Sequence, residues 1–319
     1  VHYCEDAFEG LRVLRTLEGE GRVEPAGRSR ASARPRVEPR APSAGAGLPA
    51  PEVDRSVPIP TPPFLGARVL PELPLDEVLG QLNETTLIRG QWRYRRGTLT
   101  REEYDDLLST RVRPLLEALR TEARRGDVIR PAAVYGWWPC RSEGRDLVLL
   151  DPGSGAETAR FSFPRRRVEP HWCIADFFHP EGPDVVGLFV VTAGAAAAAH
   201  IRRLFEEDAY RDYLHWHGFA VEAAEAAAEW LHGQMRRELG IGDGDLPDPQ
   251  AVIRQGYRGS RYSFGYPACP ELESQETLFR LLDPGRIGVS LTEGFQMVPE
   301  QSVSAVVAHH PAARYFHLE

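Results

Sequence analysis

Three short runs in the middle of the chain, AAVYGWW (132–138), DLVLL (146–150) and VVGLFVV (185–191), have the β-branched and aromatic texture of strands. The first two are joined by RSEGRD, a connection of hairpin length, and such links favour antiparallel pairing. Helical patterns stand in separate clusters rather than alternating with the strands. Leu75, Val78, Leu79 and Leu82 recur at helical spacing, and residues 101–125 place Tyr104, Leu107, Leu108, Leu115, Leu116 and Leu119 on one helix face, with an interruption expected at Pro114. Residues 195–239 read as a long Ala-rich helical stretch with its break at Gly218. Residues 249–254 and LESQETLFRLL add helices, residues 255–271 form a loop, and GVSLTEGFQMVPEQSVSAVVAHH supplies two closing strands. The expected fold is α+β: an antiparallel twisted sheet with flanking helices, in a single domain preceded by a flexible linker.

The remainder of the chain is organised by what it lacks. Between Gly19 and Ser56 there is almost nothing to bury, and Pro, Gly, Ala, Ser and Arg dominate. That composition does not offset chain entropy, so 19–56 is expected to be a flexible linker rather than an ordered Pro-rich arm. It separates a short mixed segment, 1–18, from a domain over 57–319, with an extended stretch from Val57 leading in. The chain begins with Val1 and reads as the C-terminal piece of something longer. A net charge of -8 argues against nucleic acid as a partner, and no run is long and apolar enough for a membrane span. Four cysteines without a CxxC pair give no expected disulfide framework or zinc site, and the expected compartment is the cytoplasm.

Most signatures of chemistry are missing: no GxGxxG after a strand, no GxxxxGK[ST], no HExxH and no GxSxG. His215 and His217 fall on opposite sides of a helix, poor geometry for a metal. GYPACP (265–270) differs. One Gly, two Pro and neighbouring aromatics make a rigid turn that exposes backbone groups, and Arg261 just before it is a fixed cation able to hold a carboxylate bidentately. On the residues alone, the loop is either a small-molecule site or a structural turn beside a surface arginine.

A resemblance enters at these residues. RYSFGYPACPE (261–271) resembles the RxxxGYPACP signature of the C-terminal activation domain of cobalamin-dependent methionine synthase. VYGWWPCRSEGRDLVLL (134–150) is similar to that family's VVGLFPAN…GDDI, and HWCIADFFHP (171–180) to NYCLADFVAP. VVGLFVVTAG (185–194) resembles IGAFAVTGG, and LTEGFQMVPEQSVSA (291–305) resembles LTESFAMWPGASVSG. The motifs occur in the family's order across 57–319, and HYCEDAFEGL is similar to the end of the preceding cobalamin-binding domain.

The resemblance implies a domain of a methyltransferase that binds S-adenosylmethionine and presents its methyl group to cobalamin, with the cobalamin-binding domain and flavodoxin or an equivalent electron donor as partners. It implies that Arg261 holds the methionyl carboxylate, that the backbone of Ser263 meets the cofactor, and that Tyr266 is the Tyr of GYP. Glu84 takes the place of an acid facing the methionyl amino group, Glu225 that of a helix Glu near the site, and Tyr315 and Phe316 that of an aromatic pair near the nucleoside. Read without the resemblance, Glu84 and Glu225 are equally well solvated helix charges. No catalytic acid, base or nucleophile and no metal site is expected. Leu272 and Gln255 depart from the family, standing where it carries a His and an acid. With neither a cobalt-ligating DxHxxG nor a cysteine cluster, the chain by itself is not expected to methylate homocysteine. The alternative is a docking scaffold that keeps the fold and only binds a partner cobalamin protein.

Overall fold

The computed structural model describes residues 47–125, 128–242 and 255–319. Segment 1–18, most of the expected linker and the expected helix at 249–254 lie outside the described residues. The last residues of that linker segment pack on the domain: Val53 is buried, Arg55 Nη1 donates to the Phe178 carbonyl at 2.7 Å, and the Asp54 carbonyl lies 2.9 Å from His310 Nε2. The packed chain therefore begins ahead of Val57, because one apolar and one basic side chain find partners there.

Strand β1 (Gly66–Leu70) comes first, then helix α1 (Leu75–Gly80) and a π-helical turn over Thr86–Gln91. Helix α2 (Arg101–Leu107) opens with a capping box between Thr100 and Glu103. A π-helical segment, Leu108–Val112, joins it to α3 (Arg113–Arg125). The irregularity lies just before Pro114, which has no N–H to continue the α-helical ladder. The sheet follows with β2 (Ala132–Glu143), β3 (Asp146–Leu150), β4 (Glu157–Ser162) and β5 (Asp184–Thr192). Helices α4 (Ala195–Glu206) and α5 (Tyr210–Glu238) come next, then β6 (Ser260–Ser263) and α6 (Ser274–Leu282). A small hairpin of β7 (Ser290–Leu291) and β8 (Met297–Val298) precedes β9 (Ser302–Ala308).

The principal sheet is antiparallel throughout, in the order β4-β3-β2-β5-β9-β6 with β1 paired to β2, so the α+β expectation holds. Both faces of its centre are covered, and the period of two sorts the side chains. Tyr135, Trp137, Phe189, Val191, Val303, Ala305 and Val307 pack in the cluster that contains α5. Val134, Trp138, Leu188, Val190, Tyr262 and Val306 pack in the opposite cluster with Phe161, Phe177 and Leu278. Helix α5 comes close to the sheet at Gly187, where an added Cβ would stand 2.6 Å from Met235 Cε and 2.8 Å from Trp137 Cζ3.

Three local expectations are corrected. The Ala-rich stretch breaks at 207–209, where Asp208 takes φ 57, and not at Gly218. Asp tolerates the left-handed region, whereas Gly218 sits inside α5 to admit a neighbour: an added Cβ would lie 2.8 Å from Gln91 Cβ and 3.0 Å from Trp92 Cδ1. The loop 255–271 contains β6, and the closing segment holds three strands rather than two.

Candidate functional site

Arg261 and Ser263 reach the same face of the sheet because they are two residues apart on β6, paired opposite Val307 and Ala305 of β9. Tyr262 between them turns to the other face, fully buried, with its ring 6.1 Å from Phe177 and 5.8 Å from Phe316. On the face of Arg261 lies α5, which carries Glu222, Glu225 and Glu229. Their spacing of three and four residues sets all three carboxylates on one helix face.

The guanidinium of Arg261 is held on several sides. Its Nε donates to Glu229 Oε1 at 2.8 Å, Nη2 to Glu225 Oε2 at 3.0 Å, and Nη1 to Ser263 Oγ at 3.0 Å. Burial works against the charge of Arg261, but Glu229 and then Glu225 outweigh it and raise its pKa above the ordinary value. Tyr266 Oη donates to the second oxygen of Glu225 at 2.5 Å. Burial, followed by the charge of Glu225, raises the Tyr266 pKa, so the phenol keeps its proton.

Tyr266 is presented by the GYPACP turn. Gly265 takes φ +82 and donates its N–H to the Cys269 carbonyl at 2.8 Å, while Cys269 N–H returns a bond to the Tyr266 carbonyl at 2.8 Å. A residue with a Cβ at 265 would be strained in this backbone region and would press on Leu272 Cδ2 at 3.0 Å.

These groups line a groove of about 590 Å³. Its walls include Gln81, Asn83, Thr86 and Gln91 from the α1 side, Gln255 and Tyr257 leading into β6, and Tyr315 near the chain end. Gln255 Oε1 accepts from the Tyr315 backbone N–H at 2.9 Å and so fixes that residue's position. Glu222 is 4% exposed and hydrogen-bonds Gln91 Nε2 at 3.3 Å. Burial raises the Glu222 pKa to about 7, with Glu225 adding and Gln91 opposing. Glu229 Oε2 is buried with no hydrogen-bond partner among the described residues.

Of the expected site residues, Glu225, Arg261, Ser263, Tyr266 and Tyr315 meet in this groove. Glu84 and Phe316 are not brought to it. Glu84 follows Asn83, which does line the groove, but its carboxylate is taken by Arg120 Nη2 at 3.1 Å. Phe316 is buried beneath Tyr262 instead of facing outward. The residues that sequence reasoning passed over are Glu222 and Glu229. Their signal is the repeat of acids along α5, at three and four residues from Glu225.

The motif near 291–301 lines a separate hollow of about 940 Å³, with Gln296, Met297, Pro299 and Glu300 on its wall. Phe264 and Gly265 line this hollow, while Ser263 and Tyr266 line the groove, so one turn borders both. His217 pairs with Glu300 at its edge, and His215 is buried against Trp92 and Tyr94. Among the described residues no group of three His, Cys, Asp or Glu is placed to hold a metal ion, and no helix is long and apolar enough to cross a membrane.

Comparison with known proteins gives the groove its context. Residues 110–319 match the family described as vitamin B12 dependent methionine synthase, activation domain. The chain is 37% identical over 358 aligned positions to methionine synthase of Mycobacterium tuberculosis (strain ATCC 25618 / H37Rv), covering 100% of this chain and 30% of that protein. The same figures describe its match to methionine synthase of Mycobacterium leprae (strain TN). The chain thus spans about 30% of the length of these curated relatives. Among solved structures it is similar to the MetH reactivation domain bound to AdoHcy, with a TM-score of 0.73 and 25% identity, covering 82% of this chain and 83% of that one.

Proposed function

The chain belongs to the activation-domain family of vitamin B12 dependent methionine synthase, and from that premise we propose that its groove binds S-adenosylmethionine in the service of a cobalamin-dependent methyltransferase. The observation that carries this reading is a charge pattern: the single guanidinium of Arg261 set against Glu225 and Glu229, in a groove walled by Tyr266 and Tyr315.

A methionyl group is a zwitterion, so its carboxylate calls for a guanidinium and its ammonium for a carboxylate, both charge-assisted. Arg261 fits the first need. The buried, unpartnered Oε2 of Glu229 fits the second, a role the resemblance gives to Glu84. The tyrosines and the backbone of the GYPACP turn suit the nucleoside. When bound, S-adenosylmethionine supplies an electrophilic methyl on a sulfonium, so the groove needs neither a nucleophile nor a general base. The residues of this chain bind, orient and exclude water, and orientation of this kind contributes a large part of many rate enhancements.

In the whole enzyme we assign this domain to reductive methylation of cobalamin, with electrons from flavodoxin or an equivalent donor. Residues 1–18 are the end of the cobalamin-binding domain in this reading, and the segment from Gly19 onward is the tether that keeps that domain at high effective concentration. The hollow across the Gly265 turn is the face assigned to the cobalamin-bearing domain, because it shares that turn with the groove. The expected compartment is the cytoplasm. A bare docking scaffold is disfavoured, since such a protein has no use for a half-buried cation with carboxylates in excess.

Calorimetric titration of S-adenosylmethionine into the protein tests the reading, with Arg261→Ala as control. Saturable binding is expected, weakened at least about tenfold in the variant by loss of a charge-assisted pair of roughly 1.5–3 kcal/mol. An unchanged dissociation constant in a folded variant would overturn the role of Arg261. No binding by the folded parent would leave the scaffold.

A further inference from the structure

Among the described residues, three carboxylates line the groove and one guanidinium answers them. Glu225 and Glu229 share Arg261, whereas the one hydrogen-bond partner of Glu222 among the described residues is the neutral amide of Gln91. The charged and titratable groups lining the groove around Glu222 are Glu225 and Glu229 of α5, Arg261 of β6, Tyr266 of the turn, and Tyr257 and Tyr315. The cation among them is committed to the other two acids. A carboxylate so thoroughly removed from water is costly to ionise without a cation of its own.

We propose that Glu222 reads the charge on the ligand's sulfur: it keeps its proton in the empty groove and beside the uncharged thioether of S-adenosylhomocysteine, releases it to solvent when the sulfonium of S-adenosylmethionine arrives, and thereby favours the sulfonium ligand. This rests on the ligand class proposed above and adds a specificity-determining residue to it. The two ligands share the amino-acid and nucleoside parts, so Arg261, Glu229 and the tyrosines treat them alike. What separates them is one positive charge, and a desolvated carboxylate on the groove wall is the group best placed to respond to it. The proton affinity fits: burial brings Glu222 to about 7, so it exchanges its proton within the neutral range.

The sign follows directly. An entering cation favours the ionised form and lowers the affinity of Glu222 for its proton, so S-adenosylmethionine binds more tightly as pH rises, and proton release accompanies binding. Between pH 6 and 7 the α-amino groups of both ligands stay mostly protonated, which keeps the comparison clean.

The test is titration calorimetry of both ligands between pH 6 and 7, repeated in buffers of different ionisation enthalpy to count protons. Expected are release of about 0.7 proton per S-adenosylmethionine at pH 6.5 and about fivefold tighter binding at pH 7 than at pH 6, with S-adenosylhomocysteine nearly flat. Glu222→Gln, which keeps the shape of the side chain, should abolish both effects and narrow the preference between the ligands. Equal proton release with the two ligands, or release that persists in a folded Glu222→Gln protein, would overturn the role of Glu222 and leave the ligand class standing. Failure of both ligands to bind the parent protein would overturn the ligand class and this inference with it.

Discussion

Arg165 and Arg261 are both held by carboxylates, and they are held differently. Arg165 lies on the side of the sheet away from α5, where Nη1 and Nη2 grip Asp176 at 2.7 and 2.9 Å with both side chains 4% exposed. Arg165 Nη1 also donates to the His171 carbonyl, and Asp176 Oδ2 accepts the Cys173 N–H, so that arrangement is matched one to one and closed. Arg261 faces two carboxylates at once, its side chain is 16% exposed, and Glu229 keeps an oxygen without a partner. A closed pair specifies structure. A pair with surplus acceptors and an open side leaves something for a ligand to complete.

The widest gap between the two sites should be in stability. Asp176→Ala leaves the Arg165 guanidinium buried and unpaired and removes the acceptor of the Cys173 N–H. Breaking a buried pair in this way costs about 3–5 kcal/mol, read from urea denaturation. Arg261→Ala should cost clearly less, because the side chains of Glu225 and Glu229 are 24% and 22% exposed, against 4% for both partners of the Arg165 pair. A loss below about 1 kcal/mol for Asp176→Ala, or an equal loss for both variants, would erase the distinction between closed and open pairs.

A second buried pair, Asp184 with His309, sharpens the comparison through pH. Asp184 accepts from the backbone N–H groups of His179 and Val185 at 2.8 and 2.7 Å and lies 2.6 Å from His309 Nε2. Burial works to raise the pKa of Asp184, but these partners, His309 foremost, outweigh it and hold the carboxyl below the usual range. A depressed native pKa gives stability that is fully present above the unfolded value near about 3.9 and is lost as pH falls through the native one. Asp184→Asn should therefore lower stability at neutral pH by about 1–3 kcal/mol and flatten the acid limb below about pH 4. An acid limb of unchanged slope would show that other carboxylates govern it.

What could be read from the sequence follows where burial imposes a period. Strands β2, β3 and β5 stood out because both their faces are covered, leaving near-continuous apolar runs. Strand β4 was missed because ETARFS is half exposed and its Arg160 serves Glu143, Asp146 and Glu157 at the surface. Strand β6 was taken for loop because it is four residues long and abuts the GYPACP turn. In the groove, Arg261 was legible from its place beside the rigid GYPACP turn, and Ser263 and Tyr266 from the resemblance that this motif carries. Glu222 and Glu229 were not, since which face of α5 is covered depends on β6, well over twenty residues later in the chain.

The smallest expected effect tests the sharpest disagreement between resemblance and geometry. The resemblance places Glu84 against the methionyl amino group, which would make its removal as damaging as that of Arg261. In the structure Glu84 is 43% exposed and paired with Arg120, and Arg120 has a second acid, Glu117, at 2.6 Å. Arg120 thus keeps a partner when Glu84 is neutralised, and an ion pair whose carboxylate is this exposed contributes little. Glu84→Gln should shift stability by no more than about 0.5 kcal/mol and leave the affinity for S-adenosylmethionine within about twofold. A tenfold loss would mean that Glu84 leaves Arg120 and turns to the ligand on binding, so that the surplus of carboxylates on α5 is not what meets the ammonium group.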